Sequence, residues 1–233
     1  MDFKGTKATW LGHGTFKFTT SEGKVVIVDP WVMNNPACPD TEKDPEQLDL
    51  VLITHAHFDH IGDAVELGKK HSPETFAIFE TAMWLGSKEV PNVTGVNKGG
   101  TGRAQGVTFT MVHAVHSCGI QDGDQILYGG EAAGYVIEFP GGLKVYYAGD
   151  TTVFSDMKII GELYRPDVAF LPIGDFYTMS PREAAYAANL LGVKTVVPMH
   201  FGTFPVLTGT PDELAKLASG VEVVAFTPGE TKS

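Results

Sequence analysis

Hydrophobic residues in this chain occur in short runs rich in Val, Ile, Phe and Tyr, separated by turns rich in Gly, Pro, Asp and Asn. Runs of this kind predict buried β-strands, and the amphipathic segments between several of them predict helices. The predicted strands cover residues 7–11, 15–19, 24–28, 48–53, 75–79, 91–96, 107–112, 135–139, 144–148, 168–171, 195–198 and 221–226. Strands that alternate with helices along most of the chain indicate a layered arrangement of both elements.

Helices are predicted over residues 63–71, 80–86, 156–164, 181–191 and 211–220. The last two have the clearest start signals, Ser-Pro-Arg-Glu at 180–183 and Thr-Pro-Asp-Glu at 210–213. A Ser or Thr cap, Pro at the first helical position and Glu three residues after the cap are typical of a helix N-terminus. No helix or Lys-Ser/Thr pair follows the glycine-rich segment 99–102, so we interpret it as a plain turn.

The composition is that of an ordinary globular protein, with 233 residues, 43% hydrophobic and 19% charged, and it predicts a single domain over residues 1–233. The net charge of −11, with three arginines and no basic run, argues against a nucleic-acid-binding or membrane-surface protein. No apolar segment is long enough to span a bilayer. The N-terminus does not resemble a signal peptide, and two cysteines, Cys38 and Cys118, give no disulfide framework. A cytoplasmic location is therefore expected.

The segment Thr-His-Ala-His-Phe-Asp-His at 54–60 directly follows the predicted strand 48–53. In extended backbone His55 and His57 point to the same side, because side chains alternate with a period of two, so both can bind one ion. Asp59 and His60 lie beyond the strand end, where they can contribute to a second ion. Imidazole nitrogens and a carboxylate are ligands that first-row divalent metals prefer.

Three further predicted strands also lead to a residue that can bind a metal, namely His116, Asp150 and His200. Sites in layered α/β folds collect at the carboxyl ends of strands, so we predict that these residues meet the histidine segment at two adjacent metal positions. The predicted ligands are His55, His57 and His116 for the first position, Asp59, His60 and His200 for the second, and Asp150 as a bridge between them.

This set of ligands predicts hydrolysis. Two divalent ions about 3.5–4 Å apart share a water molecule and lower its pKa from about 15.7 to about 7. A metal-bridged hydroxide is then available at neutral pH to attack an ester, lactone or phosphoester bond of a small metabolite. Histidine and carboxylate ligands without thiolate predict Zn²⁺, with Mn²⁺ as the alternative, and Fe, Ni and Co are also compatible.

The spacing of histidine and aspartate at 55–60, with the three later ligands, resembles the metallo-β-lactamase superfamily of metal-dependent hydrolases over nearly the whole chain. Four segments further resemble a group of bacterial and archaeal metal-dependent hydrolases near ascorbate-6-phosphate lactonase. They are Leu-Gly-His-Gly at 11–14, Ala-Gly-Asp-Thr at 148–151, Pro-Ile-Gly at 172–174 and Pro-Met-His-Phe-Gly-Thr at 198–203. The resemblance implies an α+β, four-layer αββα sandwich, in which two mixed β-sheets face each other and helices cover the outer faces.

The resemblance also guides the choice of the third histidine, because that group has a His-Ser pair where this chain has His116-Ser117. We therefore expect His113 to be packed or to support a ligand. The resemblance further places His13, set between two glycines, at the rim of the site as a candidate catalytic residue. There it would donate a proton or bind a substrate anion, and a structural role stays open. Asp59 is expected to be essential for hydrolysis.

Several other residues have two interpretations each. Asp29 either orients a ligand imidazole or caps a turn. Cys118, two residues after a predicted ligand, is expected to be a small buried residue and not a site residue. Aromatic residues that either line an apolar pocket or pack in the core are Trp31, Phe176, Tyr177, Phe201 and Phe204.

Two alternative functions stay open. A phosphodiesterase or nuclease would use the same ligands, but the acidic chain without a basic patch argues against a nucleic-acid partner. A non-catalytic metal-binding scaffold is the other alternative, and the complete ligand set argues against it. The expected partner is a small-molecule substrate, with no nucleic acid and no membrane, and a homo-oligomer is compatible with the sequence.

Overall fold

The computed structural model describes residues 1–233 and contains sixteen strands and six α-helices. In chain order the strands are β1 (Lys7–Trp10), β2 (Phe16–Thr19), β3 (Val25–Val28), β4 (Leu50–Leu52), β5 (Glu74–Ile78), β6 (Val93–Val96), β7 (Thr101–Ala104), β8 (Val107–His113), β9 (Gly119–Asp122), β10 (Gln125–Tyr128), β11 (Ala133–Glu138), β12 (Lys144–Tyr147), β13 (Val168–Pro172), β14 (Thr195–Met199), β15 (Glu222–Val223) and β16 (Thr231–Lys232). The helices are α1 (Phe58–Ile61), α2 (Ala64–His71), α3 (Phe79–Ser87), α4 (Met157–Tyr164), α5 (Pro181–Leu191) and α6 (Pro211–Leu217).

Two sheets of seven strands organise the chain. The first has the order β16-β1-β2-β3-β4-β5-β6 and the second the order β15-β14-β13-β12-β11-β8-β7. Strands β3 to β6 are parallel to one another, as are β12 to β15, whereas the other side of each sheet is antiparallel. Parallel neighbours need crossover connections, and helices supply all of them except the one between β3 and β4, which is a loop with one short 3-10 turn. Strands β9 and β10 form a separate hairpin.

Aromatic side chains fill the space between the two sheets. Phe16 of β2 packs edge-on against Phe170 of β13, with ring centroids 4.8 Å apart. Phe18, also on β2, lies 5.0 Å from Phe139 and 5.5 Å from Phe170. Aromatic rings bury more apolar surface than other side chains, so these contacts hold the sheets face to face.

Helices cover both outer faces of the sheets. Leu67 of α2 and Leu85 of α3 are buried in the core cluster of the first sheet, and Met157 of α4 and Leu191 of α5 are buried against the second. The expected four-layer αββα sandwich is therefore confirmed. None of the helices combines the length and the apolar composition needed to cross a membrane.

Two segments differ from the sequence prediction. Residues 99–102, interpreted as a plain turn, instead lead into strand β7, which begins at Thr101. Gly102 leaves room for the ring of Phe109, because a Cβ at this position would lie 2.4 Å from that ring. The strand predicted at 221–226 is reduced to β15, since only Glu222 and Val223 pair with β14. The hydrophobic pattern also does not predict the β9–β10 hairpin or the short polar edge strand β16.

Candidate metal centre

The loops that follow β1, β4, β8, β12 and β14 meet at one edge of the sandwich. They bring together all seven residues predicted as metal ligands. We call His55, His57 and His116 the first cluster, and Asp59, His60 and His200 the second cluster. Within each cluster the potential ligand atoms lie within 4.8 Å of one another.

The first cluster is formed by imidazoles alone. His55 Nε2 and His57 Nδ1 lie 3.1 Å apart, on the same side of the segment that follows β4. The His116 ring, from the loop after β8, lies 5.2 Å from the His55 ring and 5.0 Å from the His57 ring, measured between centroids. His55 is fully buried, whereas His57 and His116 are partly exposed. This cluster therefore faces solvent on one side.

The second cluster combines a carboxylate with two buried imidazoles. The His60 and His200 rings are nearly parallel, with centroids 5.5 Å apart, and they are 0% and 1% exposed. His200 Nε2 lies 3.8 Å from Asp59 Oδ2. Asp59 and His60 both belong to helix α1, which begins as soon as the segment 54–57 has left the sheet. One short helix thus supplies two of the three ligands.

Asp150 lies between the two clusters. Its Oδ2 atom is 3.9 Å from His55 Nε2 and 3.7 Å from His116 Nε2 in the first cluster. The same oxygen is 3.0 Å from His200 Nε2, and Oδ1 is 3.4 Å from His60 Nε2. A single carboxylate is therefore within reach of both positions, as the bridging prediction requires.

Polar atoms without partners show that these residues fit bound cations. His60 Nε2, His200 Nε2 and Asp150 Oδ1 are buried and have no hydrogen-bond partner. A buried polar atom without a partner costs roughly 1–3 kcal/mol, and a cation bound between these three atoms would remove that cost. Imidazole and carboxylate donors together suit a first-row divalent ion such as Zn²⁺, whereas Ca²⁺ prefers oxygen ligands alone.

The histidines of the first cluster are neutral near pH 7. Burial lowers the pKa of His55 well below its ordinary value, and the proximity of His60 lowers it further. Burial likewise lowers the pKa of His57 and of His116, and neighbouring histidines add to the effect in both. Neutral imidazoles offer a lone pair to a metal without first losing a proton.

The histidines of the second cluster are protonated in the absence of metal. Burial lowers the pKa of His60 and His200, but the neighbouring carboxylates together outweigh it, Asp150 and Asp29 around His60 and Asp150 and Asp59 around His200. The pKa of His60 is held well above its ordinary value, and that of His200 is raised to about 9. Although burial opposes it, the same imidazoles hold the pKa of Asp150 well below its usual range. A cation that binds here must displace protons.

Asp29, a buried carboxylate outside the ligand set, orients an imidazole in each cluster. Its Oδ2 accepts from His60 Nδ1 at 2.9 Å and from Thr54 Oγ1 at 2.7 Å, and its Oδ1 accepts from the Thr54 backbone N–H at 2.7 Å. Because Thr54 Oγ1 donates to Asp29, it accepts from His55 Nδ1, which is 3.0 Å away. Both imidazoles therefore turn Nε2 toward the centre.

This network favours the orienting role of Asp29 over the turn-capping alternative. It also includes Thr54, which the sequence does not single out. A threonine at the end of a β-branched run looks like an ordinary strand residue, and only its position before His55 hints at a role.

Two glycines let the backbone approach the centre closely. A Cβ at Gly14 would lie 2.6 Å from Cε1 of His60. A Cβ at Gly149, which has a φ of +60°, would lie 2.7 Å from Cβ of Thr54. Non-bonded carbon atoms prefer a separation of about 3.5–4 Å, so any side chain at either position would displace a residue of the centre.

His13 lies behind the second cluster, and the prediction that it stands at the rim is wrong. It is fully buried, and it does not line the cavity described below. The turn between β1 and β2 folds inward because the His13 carbonyl accepts from Trp10 Nε1 and from the His200 backbone N–H, both at 3.0 Å. His13 does lie close enough to Asp59, His60 and His200 to share one potential metal-binding group with them, since their ligand atoms are all within 4.8 Å of one another.

The His13 side chain instead holds Asp59. Its Nε2 donates to Asp59 Oδ2 at 2.9 Å, and its ring packs against His200 with centroids 3.8 Å apart. Burial, reinforced by His200, lowers the pKa of His13 to about 4, so the imidazole is neutral at pH 7. A neutral donor fixes the orientation of the carboxylate without adding charge.

His113 and Cys118 belong to neither cluster, and Cys118 is buried as expected, whereas His113 is neither buried nor in contact with a ligand. The His113 side chain is exposed, and its Nδ1 lies 3.0 Å from Lys98 Nζ. Cys118 is buried, its Sγ donates to the Gly129 carbonyl at 3.3 Å, and burial raises the pKa of its thiol. Neither side chain approaches a cluster closely enough to act as a ligand.

A cavity of about 600 Å³ opens over both clusters. Its lining residues are His57, Phe58, Asp59, His116, Ser117, Asp150, Tyr177, His200, Phe204 and Val206. Of the five aromatic candidates from the sequence, only Tyr177 and Phe204 line it. Phe58 was missed, although it lies between two predicted ligands. Ser117 Oγ lies 3.2 Å from His57 Nε2, the nitrogen that faces away from the first cluster.

A family model and individual relatives both associate this chain with metal-dependent hydrolases of one superfamily. The family model described as beta-lactamase superfamily domain matches residues 24–201. A UPF0173 metal-dependent hydrolase of Koribacter versatilis is 60% identical over 100% of both chains. One of Solibacter usitatus is 55% identical over 95% of this chain and 97% of its own length.

Among solved structures, the chain is similar to a novel metallo hydrolase, Igni18, from the hyperthermophilic archaeon Ignicoccus hospitalis. The two are 39% identical, with a TM-score of 0.85 and 97% of each chain covered. The segment matched by the family model, 24–201, contains all seven predicted ligands, and only His13 of the centre precedes it.

Proposed function

This chain belongs to the beta-lactamase superfamily domain family, among its metal-dependent hydrolases, and from that premise we propose that it hydrolyses an ester, lactone or phosphoester bond of a small metabolite with two divalent cations. Zn²⁺ is the proposed ion and Mn²⁺ the alternative. The first cluster would hold one cation and the second cluster the other, with Asp150 shared between them.

The position of Asp150 is the observation that supports this proposal most strongly. Its two oxygens lie 3.0–3.9 Å from nitrogens of both clusters, and its Oδ1 and the Nε2 atoms of His60 and His200 are buried without a hydrogen-bond partner. When bound, two such cations supply an acidified water molecule and polarise the bond under attack. A cavity of about 600 Å³ above them is large enough for a small metabolite.

The chain's own contribution is to position ligands and substrate. Asp29 and Thr54 fix the direction of two imidazoles, and His13 fixes Asp59 from behind. When His57 Nδ1 binds a cation, its Nε2 carries the hydrogen and donates to Ser117 Oγ, so the Ser117 hydroxyl hydrogen is then free to donate into the cavity that it lines. These groups are set before substrate arrives, which lowers the cost of reorganisation during the reaction.

The proposed partner is a small molecule and not a nucleic acid. The net charge of −11 and the absence of Lys and Arg from the cavity lining support this choice, because a polynucleotide needs cationic contacts to its phosphates. A cytoplasmic location is proposed as well, supported by two free cysteines that form no disulfide.

The first test is metal content per chain in protein purified without chelator, combined with turnover of an aryl ester, a lactone, an aryl phosphodiester and a thioester. About two ions per chain and turnover of one ester, lactone or phosphoester are expected. The matched control is Asp44→Ala, since Asp44 is an exposed aspartate that contacts only a surface lysine. A chain that binds fewer than one ion even after Zn²⁺ or Mn²⁺ is added would contradict the proposal and favour a scaffold.

A further inference from the structure

We propose that the substrate is uncharged and apolar beyond the bond that is hydrolysed. It is an acyl or aryl compound, and not a metabolite that carries a remote phosphate, sulfate or carboxylate. This inference rests on the proposed hydrolase function and names the substrate class of the same site. Its basis is the distribution of charge and apolar surface around the cavity.

Ionisable groups in the cavity lining are confined to the metal-binding floor. Apart from Tyr177, the ionisable lining residues are His57, Asp59, His116, Asp150 and His200, which are all predicted ligands. No Lys or Arg lines the cavity. An anionic group that reaches beyond the floor would therefore lose water and gain no cationic partner, which is unfavourable.

The remaining wall is mainly apolar, and much of it is exposed. Phe58 and Tyr177 are 52% and 55% exposed, and Val206 is 40% exposed. Exposed apolar surface that lines a cavity is typical of a binding site, because a ligand that covers it removes that surface from water. The favourable ligand for such a wall is a hydrocarbon chain or an aromatic ring.

Two of the three aromatic rings of the wall, those of Phe58 and Phe204, are supported by one buried residue. Trp31 is 4% exposed and packs against Phe204, with ring centroids 6.1 Å apart. The same indole packs edge-on against Phe58 at 6.0 Å. Because one buried side chain supports both rings, their positions at the cavity are set by the core and do not depend on a loose surface loop.

The polar group beside the floor is neutral. When His57 Nδ1 binds a cation, its Nε2 donates to Ser117 Oγ, and Ser117 can donate its own hydrogen to an oxygen of the substrate. A single hydroxyl donor is well matched to a carbonyl or ester oxygen. It gives little compensation to a full negative charge, which takes two or more charge-assisted contacts in most binding sites.

Side chains outside the cavity do not supply a cationic partner for a substrate anion either. Lys98, the lysine beside His113, lies 2.7 Å from Glu131 and is therefore already paired. The chain's net charge of −11 stays negative even after two divalent cations bind, so the potential around the molecule is negative on average and opposes the approach of anions. The cavity lining and the whole molecule therefore favour the same class of substrate.

The test compares three 4-nitrophenyl esters that share the same leaving group and a six-carbon acyl chain. They are the hexanoate, the 6-(methylsulfonyl)hexanoate and the 6-sulfohexanoate. The last two have nearly the same size, and only the last is charged. With metal-loaded enzyme in about 0.5 M salt, where the Debye length is only about 4 Å, long-range effects of net charge are suppressed.

We expect kcat/KM to be highest for the hexanoate and at least about 10-fold lower for the sulfonate than for the methyl sulfone, because only the sulfonate places an unpaired charge in the cavity. Equal values for the sulfonate and the methyl sulfone, or a preference for the sulfonate, would overturn the inference.

A matched pair of variants locates the effect. Val206→Lys adds a cation to the cavity wall and is expected to raise the sulfonate-to-sulfone ratio of kcat/KM by about 5-fold. Leu163→Lys adds the same charge at a 67% exposed position on α4, outside the cavity, and is expected to leave that ratio unchanged. Equal shifts in both variants would attribute the discrimination to net charge and contradict the inference.

Binding separates this inference from the proposed hydrolysis. The anilides of the same three acids are titrated calorimetrically into the metal-loaded enzyme, where no turnover is needed. Tighter binding of the neutral anilides without hydrolysis of any ester would support the substrate class and contradict an ester as the bond. Hydrolysis of the esters with equal binding of all three anilides would support the hydrolase and overturn the substrate class.

Discussion

The two clusters of the metal centre are built from different groups and are held differently. The first contains only imidazoles, and two of its three residues face the cavity. The second also reaches the cavity through Asp59 and His200, but it contains a carboxylate, its two histidines are fully buried, and His13 and Asp29 support it from behind. The pKa values also differ in direction, since they are lowered in the first cluster and raised for both histidines of the second.

This contrast indicates that the two metal positions have different roles. A partly exposed cluster of neutral imidazoles can bind a cation directly and still offer it to a substrate in the cavity. A buried, charged cluster with supporting residues behind it binds its cation in exchange for protons and holds its ligands in fixed orientations. The following experiments test whether the two positions really behave so differently.

The largest effect is expected for Asp59→Ala. This change removes the only carboxylate that belongs to the second cluster alone, and it leaves His13 without its acceptor. Hydrolysis should fall by at least about 10³-fold and the bound metal from about two ions to about one per chain. Metal analysis and kcat/KM on the best ester provide the measurement. Full activity with two ions would contradict the assignment of Asp59 to the second position.

A smaller effect, on both positions at once, is expected for Asp29→Asn. Because Asp29 orients His60 directly and His55 through Thr54, the affinity for both ions should fall by about 10–100-fold. The isosteric Thr54→Val variant should weaken the first ion alone, since His60 keeps its bond to Asp29. Competition with a chelator gives both affinities. If Thr54→Val weakened the second ion instead, the proposed link would be wrong.

The pH dependence of metal binding should differ between the positions. With a pKa of about 9, His200 is protonated at pH 7 without metal and must lose its proton to bind a cation. Affinity at the second position should therefore rise by up to about 10-fold per pH unit for each proton released between pH 6.5 and 9. The first position should change little over this range, because the pKa values of its histidines lie below 6.5.

Zn²⁺ titrations in metal buffers at three pH values measure this difference directly. If metal affinity changed equally with pH at both positions, the two clusters would not differ in the protonation of their histidines. They would then differ only in how deeply their residues are buried.

The smallest effect is expected for His113→Ala. This side chain is exposed and contacts Lys98, away from both clusters. Metal content should stay at about two ions and kcat/KM within about 2-fold of the unmodified chain, as is usual for exposed positions. Loss of one ion in this variant would mean that His113, and not His116, completes the first cluster.

The residues of both clusters were predictable because their positions follow from a simple rule. Buried strands end at one edge of a sheet, and four such strands lead to histidine or aspartate, so His116, Asp150 and His200 could be expected near the segment 54–60. The αββα layers followed from the family resemblance of the same residues. The strand and helix pattern supported a layered fold but did not decide the order of strands.

The supporting residues were not predictable in the same way. Whether His13 stands at the rim or behind the centre depends on two hydrogen bonds to its carbonyl, from Trp10 and His200, which lie far apart in sequence. Thr54 acts only through its side-chain contacts. The β9–β10 hairpin pairs with neither main sheet, and its residues Ile126 and Tyr128 are both 73% exposed, so no buried face produces a clear alternating pattern.

Gly14 has a consequence for genetics. Its φ is not positive, so its backbone conformation does not require glycine. The obstacle to alanine at this position is the His60 ring, which would lie too close to the new Cβ. The hydrogen bond from His60 to Asp29 prevents that ring from moving aside. Gly14→Ala should therefore give a conditional allele whose phenotype depends on the metal content of the growth medium and not on temperature. Cells that carry it would be wild type in medium rich in the cognate metal and mutant in medium depleted of it, because abundant metal compensates by mass action for a weakened site.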